Sequence, residues 1–396
     1  MTQTLSQRPL QELPADTTLA EHYVAARRRD WVAQSSRGLE VLRYRQGLEL
    51  LDHRALQKGP AWLQRLDQIG LTSGPARDYW ERQLLTSEGA NRERLRAPMA
   101  KLFRPAQMAK LQKAVRDIID DALDRIEDPT DVDFMRQFAW QIPPRVFCHL
   151  ISAPMESAAE IAHLSDTIVQ PILTCDKSRI QDSIDALWKA YDFNEKHIEA
   201  RRANLGDDFT SALIRLEMEG LVPTEELVLH GMTILQASID NTVHQIGLTF
   251  QTLLEDRSRW EQLVAQPSLA GPAAEETYRL RPRFGTIIRY APEAVPYEDV
   301  VIPADSWIYV SVRSAGRDED KFDDPNSYRL GRPPVRALMF GNGPYDCLGM
   351  TLVRLEMIEA LKAVINRFPN IRMLDEPRTF DANAVTEVTH LRVALV

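Results

Sequence analysis

Hydrophobic residues recur with an α-helical period through most of the chain between about residues 90 and 265. The clearest stretch is 224–254, which follows Pro223 and begins with a threonine and two acidic residues, the chemistry of a helix start. Its apolar residues recur in steps of three and four, at Val228, Met232, Leu235, Ile239, Val243, Ile246, Phe250 and Leu253. The pattern predicts one continuous helix of about 46 Å, long enough to cross a domain.

The remaining pattern predicts further helices and a few short strands. Residues 180–203 form a long helix with a polar face, 352–365 a last amphipathic helix, and 46–53 an early one. Short strands are predicted at 39–44, 286–290, 300–303, 307–312 and 391–396, and residues 1–30 as an irregular lead-in. Strands and helices do not alternate, so the fold class is mostly α with a small β region rather than a doubly wound sheet.

Composition narrows the class of protein. The chain has 396 residues, 44% hydrophobic and 27% charged, with a net charge of -9. These values exclude a disordered chain, and the acidic balance argues against a nucleic-acid partner. Since no apolar stretch reaches the ~18 residues of a membrane span and no signal peptide begins the chain, we expect a soluble cytoplasmic protein without a membrane partner.

Three cysteines, Cys148, Cys175 and Cys347, are too few and too scattered for a disulfide framework, a four-cysteine zinc site or a cysteine-only iron–sulfur cluster. Cys347 lies in the segment 340–349, Phe-Gly-Asn-Gly-Pro-Tyr-Asp-Cys-Leu-Gly, where glycines and a proline predict a tight loop. The last helix begins just after it, and a helix N-terminus favours a thiolate. The segment therefore predicts a cradle that holds one anionic sulfur against a bulky partner.

This segment resembles the haem-binding loop of the cytochromes P-450, FGxGxHxCxG. Five positions match, Phe340, Gly341, Gly343, Cys347 and Gly349, whereas Tyr345 replaces the usual histidine or arginine. The resemblance implies haem b with Cys347 as the metal ligand, and for Tyr345 at best a phenol hydrogen bond to a haem propionate. It covers nearly the whole chain and implies the P-450 fold, a single triangular domain over residues 1–396.

Two further segments match the family in the expected order. Glu276 and Arg279 resemble its ExxR pair, which locks a helix to the haem loop. Because Ser327 stands where many relatives carry a third arginine, we expect a lock with two members. Arg289 lies in an apolar strand, and the resemblance makes it a propionate ligand, although an edge-strand charge is the alternative.

A basic run extends from residue 92 to residue 113. Arg92 and Arg96 stand in the place of the family's HxRLR motif, on one helix face from which both can reach carboxylates, so they are candidate cofactor-binding residues. Further basic residues follow at Lys101, Arg104 and Lys110. They form either a solvated face or a docking patch for an acidic electron donor. The resemblance implies a ferredoxin or flavodoxin with an NAD(P)H-dependent reductase.

The middle of the long helix carries the family's oxygen-activation segment, AGx(D/E)T, in altered form. Ser238 replaces the glycine, Asp240 matches the acid, Asn241 stands in the place of the alcohol, and Thr242 follows one step later. Asp240 can relay protons through water. Asn241 can itself position the oxygen species, the substrate can supply the hydroxyl, or oxygen activation is weak and the protein uses peroxide.

These features predict a monomeric monooxygenase that inserts one O2-derived oxygen into a small organic, apolar substrate. Residues 284–288 are small and apolar, whereas residues 60–88 are rich in charge, so a polar or carrier-borne substrate stays open. The alternatives are a peroxide-using or otherwise atypical haem-thiolate enzyme, and a non-catalytic haem-binding protein. The sequence leaves the substrate and the reaction subtype open.

Overall fold

Helices make up most of the computed structural model, which describes residues 3–5, 8–13, 20–382 and 384–396. In chain order they are α1 (Ala20–Arg29), α2 (Tyr44–Asp52), α3 (Gly59–Gln68), α4 (Pro75–Glu81), α5 (Gly89–Leu102), α6 (Pro105–Ala109), α7 (Gln112–Asp124), α8 (Phe134–Gln137), α9 (Pro143–Ile151), α10 (Ala158–Thr174), α11 (Ile180–Ala203), α12 (Phe209–Met218), α13 (Leu227–Ser238), α14 (Asp240–Leu254), α15 (Arg257–Ala265), α16 (Ala270–Leu280), α17 (Val312–Ala315) and α18 (Met350–Arg367).

The strands are short and form small sheets. They are β1 (Gln3–Thr4), β2 (Val32–Ser35), β3 (Gly38–Val41), β4 (Val132–Asp133), β5 (Thr286–Ala291), β6 (Val295–Tyr297), β7 (Val300–Ile302), β8 (Ser306–Ser311), β9 (Arg372–Met373), β10 (Arg378–Ala382), β11 (Val385–His390) and β12 (Arg392–Ala394). The largest sheet has the order β2-β3-β8-β5, in which only β3 and β8 run parallel. The predicted class, mostly helix with a small β region, is confirmed.

The predicted long helix is present but is not continuous. Residues 224–226 form a 3-10 turn, and the helix then breaks at Ile239 between α13 and α14. At the break, the Thr242 hydroxyl donates to the Ser238 carbonyl oxygen at 3.1 Å and the Asn241 amide donates to the Ala237 carbonyl oxygen at 3.4 Å. Threonines inside the uninterrupted parts of both helices, Thr233, Thr249 and Thr252, make the same kind of bond, so these contacts accompany the break and do not by themselves explain it.

The two halves of this broken helix form the centre of the largest apolar core. Its buried residues include the predicted periodic positions Met232, Leu235, Ile239, Val243, Ile246, Phe250 and Leu253. A second, smaller core lies beneath the β2-β3-β8-β5 sheet and includes Val32, Val41, Ile308 and Val310. The apolar period therefore identified the buried face correctly, and only the break escaped it.

The prediction of an irregular lead-in is wrong for residues 20–29, which form α1, and residues 14–19 lie outside the described residues. The amphipathic pattern of α1 is weak because three of its ten residues are arginines at its C-terminal end. Among the described residues, no helix is both long and apolar enough to cross a membrane. The expectations of a monomer and of a cytoplasmic location stay predictions.

Candidate active site

The loop around Cys347 is fixed by its glycines. Gly341 and Gly343 both adopt positive φ angles, 71° and 66°, which suit glycine. A Cβ added to Gly343 would lie 1.9 Å from an Asp52 carboxylate oxygen of α2, so a larger residue does not fit. The Cys347 N–H donates to the Phe340 carbonyl oxygen at 2.7 Å and closes the loop. Phe340 is buried against the edge of Tyr278, with ring centres 5.3 Å apart.

The Cys347 thiol faces internal space just before α18. A Cβ on Gly349 would lie 3.9 Å from its sulfur atom, so Gly349 leaves room beside it. Burial raises the pKa of the Cys347 thiol by more than the Gly349 N–H and the charge of Lys58 lower it. The sequence argument that the helix N-terminus favours a thiolate is thus outweighed by burial, and a thiolate here needs a cationic partner such as a metal.

Three basic side chains, Lys58, Arg92 and Arg289, cluster near Cys347. The guanidinium carbons of Arg92 and Arg289 lie 4.3 and 4.7 Å from the centre of the Tyr345 ring. Burial, and then the charges of Arg92 and Arg289, lower the pKa of Lys58 to about 7. Burial likewise lowers the pKa of Arg92 and of Arg289 to about 10. Each of the three cations is therefore held close to like charges.

No ion pair neutralises these cations within the described part of the chain. Arg289 is 1% exposed, and its Nε has no hydrogen-bond partner among the described residues. Among the described residues outside ion pairs, Glu88 is the carboxylate whose charge acts on both Arg92 and Arg289, so these two guanidinium groups outnumber it, and Lys58 adds a third, partly protonated cation. A buried excess of positive charge indicates that an anionic group binds here.

Glu88 connects this cluster to α3. Its Oε2 accepts a short hydrogen bond from the Tyr345 hydroxyl, and its Oε1 accepts from the N–H groups of Lys58, at 2.8 Å, and of Gly59. Arg96 pairs instead with Asp346, which also accepts from Arg336 at 3.2 Å. Tyr345 therefore contacts the cluster both through its ring and through Glu88, whereas Arg96 is paired with Asp346.

The predicted ExxR lock has a third member. Glu276 is buried and accepts from Arg279 at 2.6 and 2.7 Å and from Arg332 at 3.0 Å. The expectation of a two-member lock is thus wrong, because Arg332, five residues after Ser327, reaches back to the same carboxylate. Arg279 also donates to the carbonyl oxygens of Pro325 and Ser327, at 2.6 and 3.0 Å, which ties α16 to the segment before the cysteine loop.

The oxygen-activation segment lies at the break between α13 and α14. Ala237 is exposed and Ser238 and Asn241 are half-buried, although the residues flanking them along the helix pair are mostly buried. These three residues therefore face open space in the middle of the protein. The Asn241 Oδ1 has no partner among the described residues, and the Thr242 hydroxyl is engaged by the Ser238 carbonyl oxygen.

Asp240 points into a buried cluster of polar side chains. It is 1% exposed; its Oδ2 accepts from Arg283 at 2.7 Å, and its Oδ1 lies 3.3 Å from both the Gln170 Nε2 and the His244 Nε2. Burial raises the pKa of Asp240, but the charge of Arg283 and the hydrogen bond with His244 lower it by more, so it stays well below the usual range. Both oxygens of the predicted proton relay are therefore occupied.

Four residues of this region were missed by the sequence analysis: Lys58, Glu88, Arg283 and Arg332. None belongs to a motif, and each is brought in by a turn or loop that the chain pattern does not locate. The one local signal was the proline that follows Gly59 in the first turn of α3, because proline is favoured at a helix start. Among the described residues, no group of three histidine, cysteine or acidic side chains could hold a metal ion.

Comparison with known proteins gives a consistent picture. The family model for cytochrome P450 matches residues 270–389. The chain is 30% identical to luteothin monooxygenase of Streptomyces thioluteus over 86% of this chain and 84% of that protein. It is 29% identical to 6-deoxyerythronolide B hydroxylase of Saccharopolyspora erythraea, over 75% and 73%. The solved structure of CalO2 superposes with a TM-score of 0.89 at 20% identity, covering 96% of this chain and 98% of that one.

Proposed function

The chain belongs to the cytochrome P450 family and is a cytochrome P450 monooxygenase, and from this premise we propose that it inserts one oxygen atom from O2 into a small, mainly apolar organic substrate. We further propose that residues 1–396 form one domain around a single haem b. The observation that carries the proposal is the unpaired cation cluster beside Cys347, at the position where the family's cofactor binds.

The residues present fit a haem. The Cys347 thiol faces internal space with the small Gly349 beside it, and burial leaves it in need of a cationic partner. Lys58, Arg92 and Arg289 would bind the two propionates, since their net positive charge is complementary to that dianion. When bound, haem supplies an iron–thiolate centre that activates O2. Tyr345 and Arg96 would position this cradle through Glu88 and Asp346.

The first experiment is the spectrum of the reduced protein under carbon monoxide. We expect the red-shifted band of a thiolate-ligated haem, and its loss in Cys347→Ala. Cys148→Ala and Cys175→Ala are the matched controls, because Cys148 is buried in the core and Cys175 lies at the end of α10. A band that survives in Cys347→Ala, or that the controls also lose, would contradict the assignment of the ligand.

For oxygen activation, we propose that Asn241 takes the place of the family's alcohol. Its amide can donate a hydrogen bond into the internal space but cannot exchange protons at neutral pH, so it positions rather than protonates. We expect Asn241→Ala to release more peroxide per product than wild type, whereas Asn241→Thr, which restores the alcohol, keeps the coupling. Equal coupling in the alanine variant would reject this role.

The substrate side supports an apolar ligand. Phe284, just before β5, and Ile288, within β5, are half-buried in the stretch expected to face the substrate, whereas Ile287 packs on the second core. Trp62 of α3, half-buried and stacked on the buried Trp80 of α4, adds aromatic surface in a stretch where the sequence suggested charge. Two similar proteins, luteothin monooxygenase and a polyketide biosynthesis cytochrome P450 of Bacillus subtilis, favour a secondary metabolite as substrate. A screen of such compounds for spin-state shifts tests this class, and shifts only with polar compounds would refute it.

Electron supply is proposed to come from an acidic ferredoxin or flavodoxin that docks on the basic face of α5 and α6. Lys101, Arg104 and Lys110 are exposed and have no acidic partner among the described residues, unlike Lys113, which pairs with Asp117 at 2.6 Å. Reversal of the three charges should slow reduction and weaken its dependence on salt. Reversal of Lys196, on α11, is the control, and reduction kinetics that match wild type in the triple variant would refute the docking face.

A second candidate function, turnover driven by peroxide, is favoured by the engaged carboxylate of Asp240. An acid bound by Arg283, Gln170 and His244 is a poor source of protons. Product formed with peroxide, but not with a reductase and O2, would establish this alternative in place of the monooxygenase route.

A further inference from the structure

A second cleft, of about 250 Å³, lies outside the site described above, where α1, the second half of α14, α17 and the paired strands β10 and β11 meet. Four arginines line it, Arg27, Arg281, Arg313 and Arg317. Asp381 is the acidic residue that lines it with them, within the described part of the chain. Four cations against one acid give the cleft a positive lining, although the chain as a whole carries a net charge of -9.

Two of these arginines pair with acids that do not line the cleft. The buried Arg27 pairs with Glu319 at 2.7 Å, and Glu319 is shared with Arg28 at 3.2 Å. Arg281 pairs with Glu255 at 2.6 Å. Because the carboxylates of both pairs lie outside the cleft lining, they neutralise the guanidinium groups without filling the space between them.

Arg317 is bonded to carbonyl oxygens alone among the described residues. Its Nη1 donates to the Arg313 carbonyl oxygen at 3.1 Å, and its Nη2 donates to the Leu280 carbonyl oxygen at 2.9 Å. Burial, and then the charges of the neighbouring arginines, lower the pKa of Arg317 to about 10. A half-buried cation held among like charges is stabilised by an anion beside it.

Each of the four arginines keeps a guanidinium nitrogen free of hydrogen bonds to the described residues. These nitrogens are the Nη2 of Arg27, the Nε of Arg281, the Nη1 of Arg313 and the Nε of Arg317. None of the four is among the polar atoms that the protein encloses completely without a partner. The cleft therefore presents available N–H donors from α1, from the segment after α16 and from α17 and the residues that follow it.

Strand β11 separates this cleft from the polar cluster around Asp240. The Thr386 hydroxyl accepts from Arg313 in the cleft, whereas the Thr386 carbonyl oxygen accepts from the Arg283 Nη1 at 2.9 Å, and Arg283 in turn donates to Asp240 at 2.7 Å. The cleft is thus a separate site, and a ligand in it does not take part in the proposed monooxygenase reaction.

The donors favour a phosphoryl group over a carboxylate. A carboxylate accepts in one plane, whereas a phosphate presents three acceptor oxygens in tetrahedral directions, and guanidinium groups bind it bidentately. The cleft volume is several times the ~30 Å³ that one water molecule occupies in the liquid, so it has room for more than a single ion. We propose that the cleft is a second ligand site, which binds a small soluble phosphorylated molecule through Arg281, Arg313 and Arg317.

The test is a calorimetric titration of the cofactor-loaded protein with sodium pyrophosphate at constant ionic strength, so that the cations around Lys58 are already occupied. We expect Arg317→Gln to weaken binding at least about tenfold, the effect of one lost charged hydrogen bond. Arg65→Gln is the matched control, because Arg65 is also half-buried and donates only to carbonyl oxygens, those of Ile172 and Leu173, among the described residues. Wild-type affinity in Arg317→Gln, or an equal loss in the control, would overturn the proposal.

Further titrations decide the class of ligand. Citrate, which carries only carboxylates, should bind more weakly than pyrophosphate, and citrate binding that is equally tight would contradict a phosphoryl site. Vesicles that contain phosphatidic acid present the same phosphate on a lipid. If they cosediment with wild type but not with Arg317→Gln, while pyrophosphate does not bind, the ligand is a lipid headgroup and the proposal of a soluble molecule fails.

Two measurements keep the proposal testable if Arg317→Gln does not fold. Arg281→Gln removes a partly exposed ion pair and should also weaken pyrophosphate binding. In wild type, pyrophosphate should protect Arg281, Arg313 and Arg317 from phenylglyoxal, as measured by mass spectrometry of peptides. Arg136, whose side chain is 80% exposed, should react equally with and without pyrophosphate. Wild-type affinity in Arg281→Gln, or no protection of Arg317 beyond that of Arg136, would refute the site.

Discussion

Removal of the Glu276 carboxylate is the sharpest test of how the cysteine loop is held. This carboxylate is 3% exposed and accepts two hydrogen bonds from Arg279, one from Arg332 and one from the Arg329 N–H at 3.0 Å. In Glu276→Ala the Arg279 guanidinium stays buried without its counter-charge. Breaking a buried ion pair in this way costs about 3–5 kcal/mol.

That cost is large against the ~5–15 kcal/mol that stabilises a typical folded protein. Arg332→Leu should cost less, about 1.5–3 kcal/mol, because Glu276 keeps Arg279 when one charged hydrogen bond is lost. Glu261→Gln is the matched control, since its ion pair with Arg257 on α15 is exposed and is worth less than ~1 kcal/mol. The assay is urea unfolding of the cofactor-loaded protein, followed by tryptophan fluorescence.

The pH dependence of stability provides a second test of the ion pair between Glu276 and Arg279. Burial raises the pKa of Glu276, but Arg279 lowers it by more, so it lies below the ordinary value of 4.5. A lowered folded-state pKa contributes stability that is present above pH 4.5 and is lost as the pH falls through the folded value. The difference in unfolding free energy between wild type and Glu276→Gln should therefore decrease at acid pH. If Glu276→Ala loses less than ~1 kcal/mol of unfolding free energy at neutral pH, no more than the Glu261→Gln control, the reasoning is refuted.

Three further predictions concern the surroundings of this loop. Lys58→Met should release haem to apomyoglobin at least about tenfold faster, the effect of one lost charged hydrogen bond, and an unchanged rate would exclude its contact with the cofactor. Gly343→Ala should destabilise the protein in urea, because the added Cβ meets Asp52 at 1.9 Å, whereas Gly70→Ala has open space around it and controls for the positive φ; equal losses would contradict the clash. Burial raises the pKa of Glu356 to about 8, so wild type loses stability as the pH rises from 4.5. Glu356→Gln should therefore gain about 3 kcal/mol of unfolding free energy at pH 7 but almost nothing near pH 4.5. A gain that does not depend on pH would contradict this prediction.

The sequence predicts the helices better than it predicts the site. Apolar periodicity located α11, α18 and the buried face of α13 and α14, because it depends only on which side of a helix meets the core. The break at Ile239 was missed, since a single residue that leaves the helix hardly disturbs an apolar period.

The same distinction applies to the site: local sequence predicts some of its residues, and only the fold brings the others to it. Cys347 and its glycines stand in one short loop, so local sequence carries them, and Arg289 belongs to a recognisable strand. Lys58, Glu88 and Arg332 reach the site from parts of the chain that only the fold brings together, with Glu88 and Tyr345 separated by 257 positions. Ser327 suggested a missing arginine, yet Arg332 fills that role from a neighbouring turn, because a long side chain can replace another without sharing its position.

Glu88 has a practical consequence for altering the protein. Its carboxylate joins the Tyr345 hydroxyl of the loop around Cys347 to the N–H groups of Lys58, just before α3, and of Gly59, the first residue of α3. The stretch from α3 to Glu88 is also where substitutions would first be tried to change the range of accepted compounds. Variants that move α3 to admit a larger molecule would therefore also weaken the hydrogen bond between Glu88 and Tyr345 beside the proposed cofactor site. A library built in this stretch should be sorted for cofactor retention before it is sorted for new products.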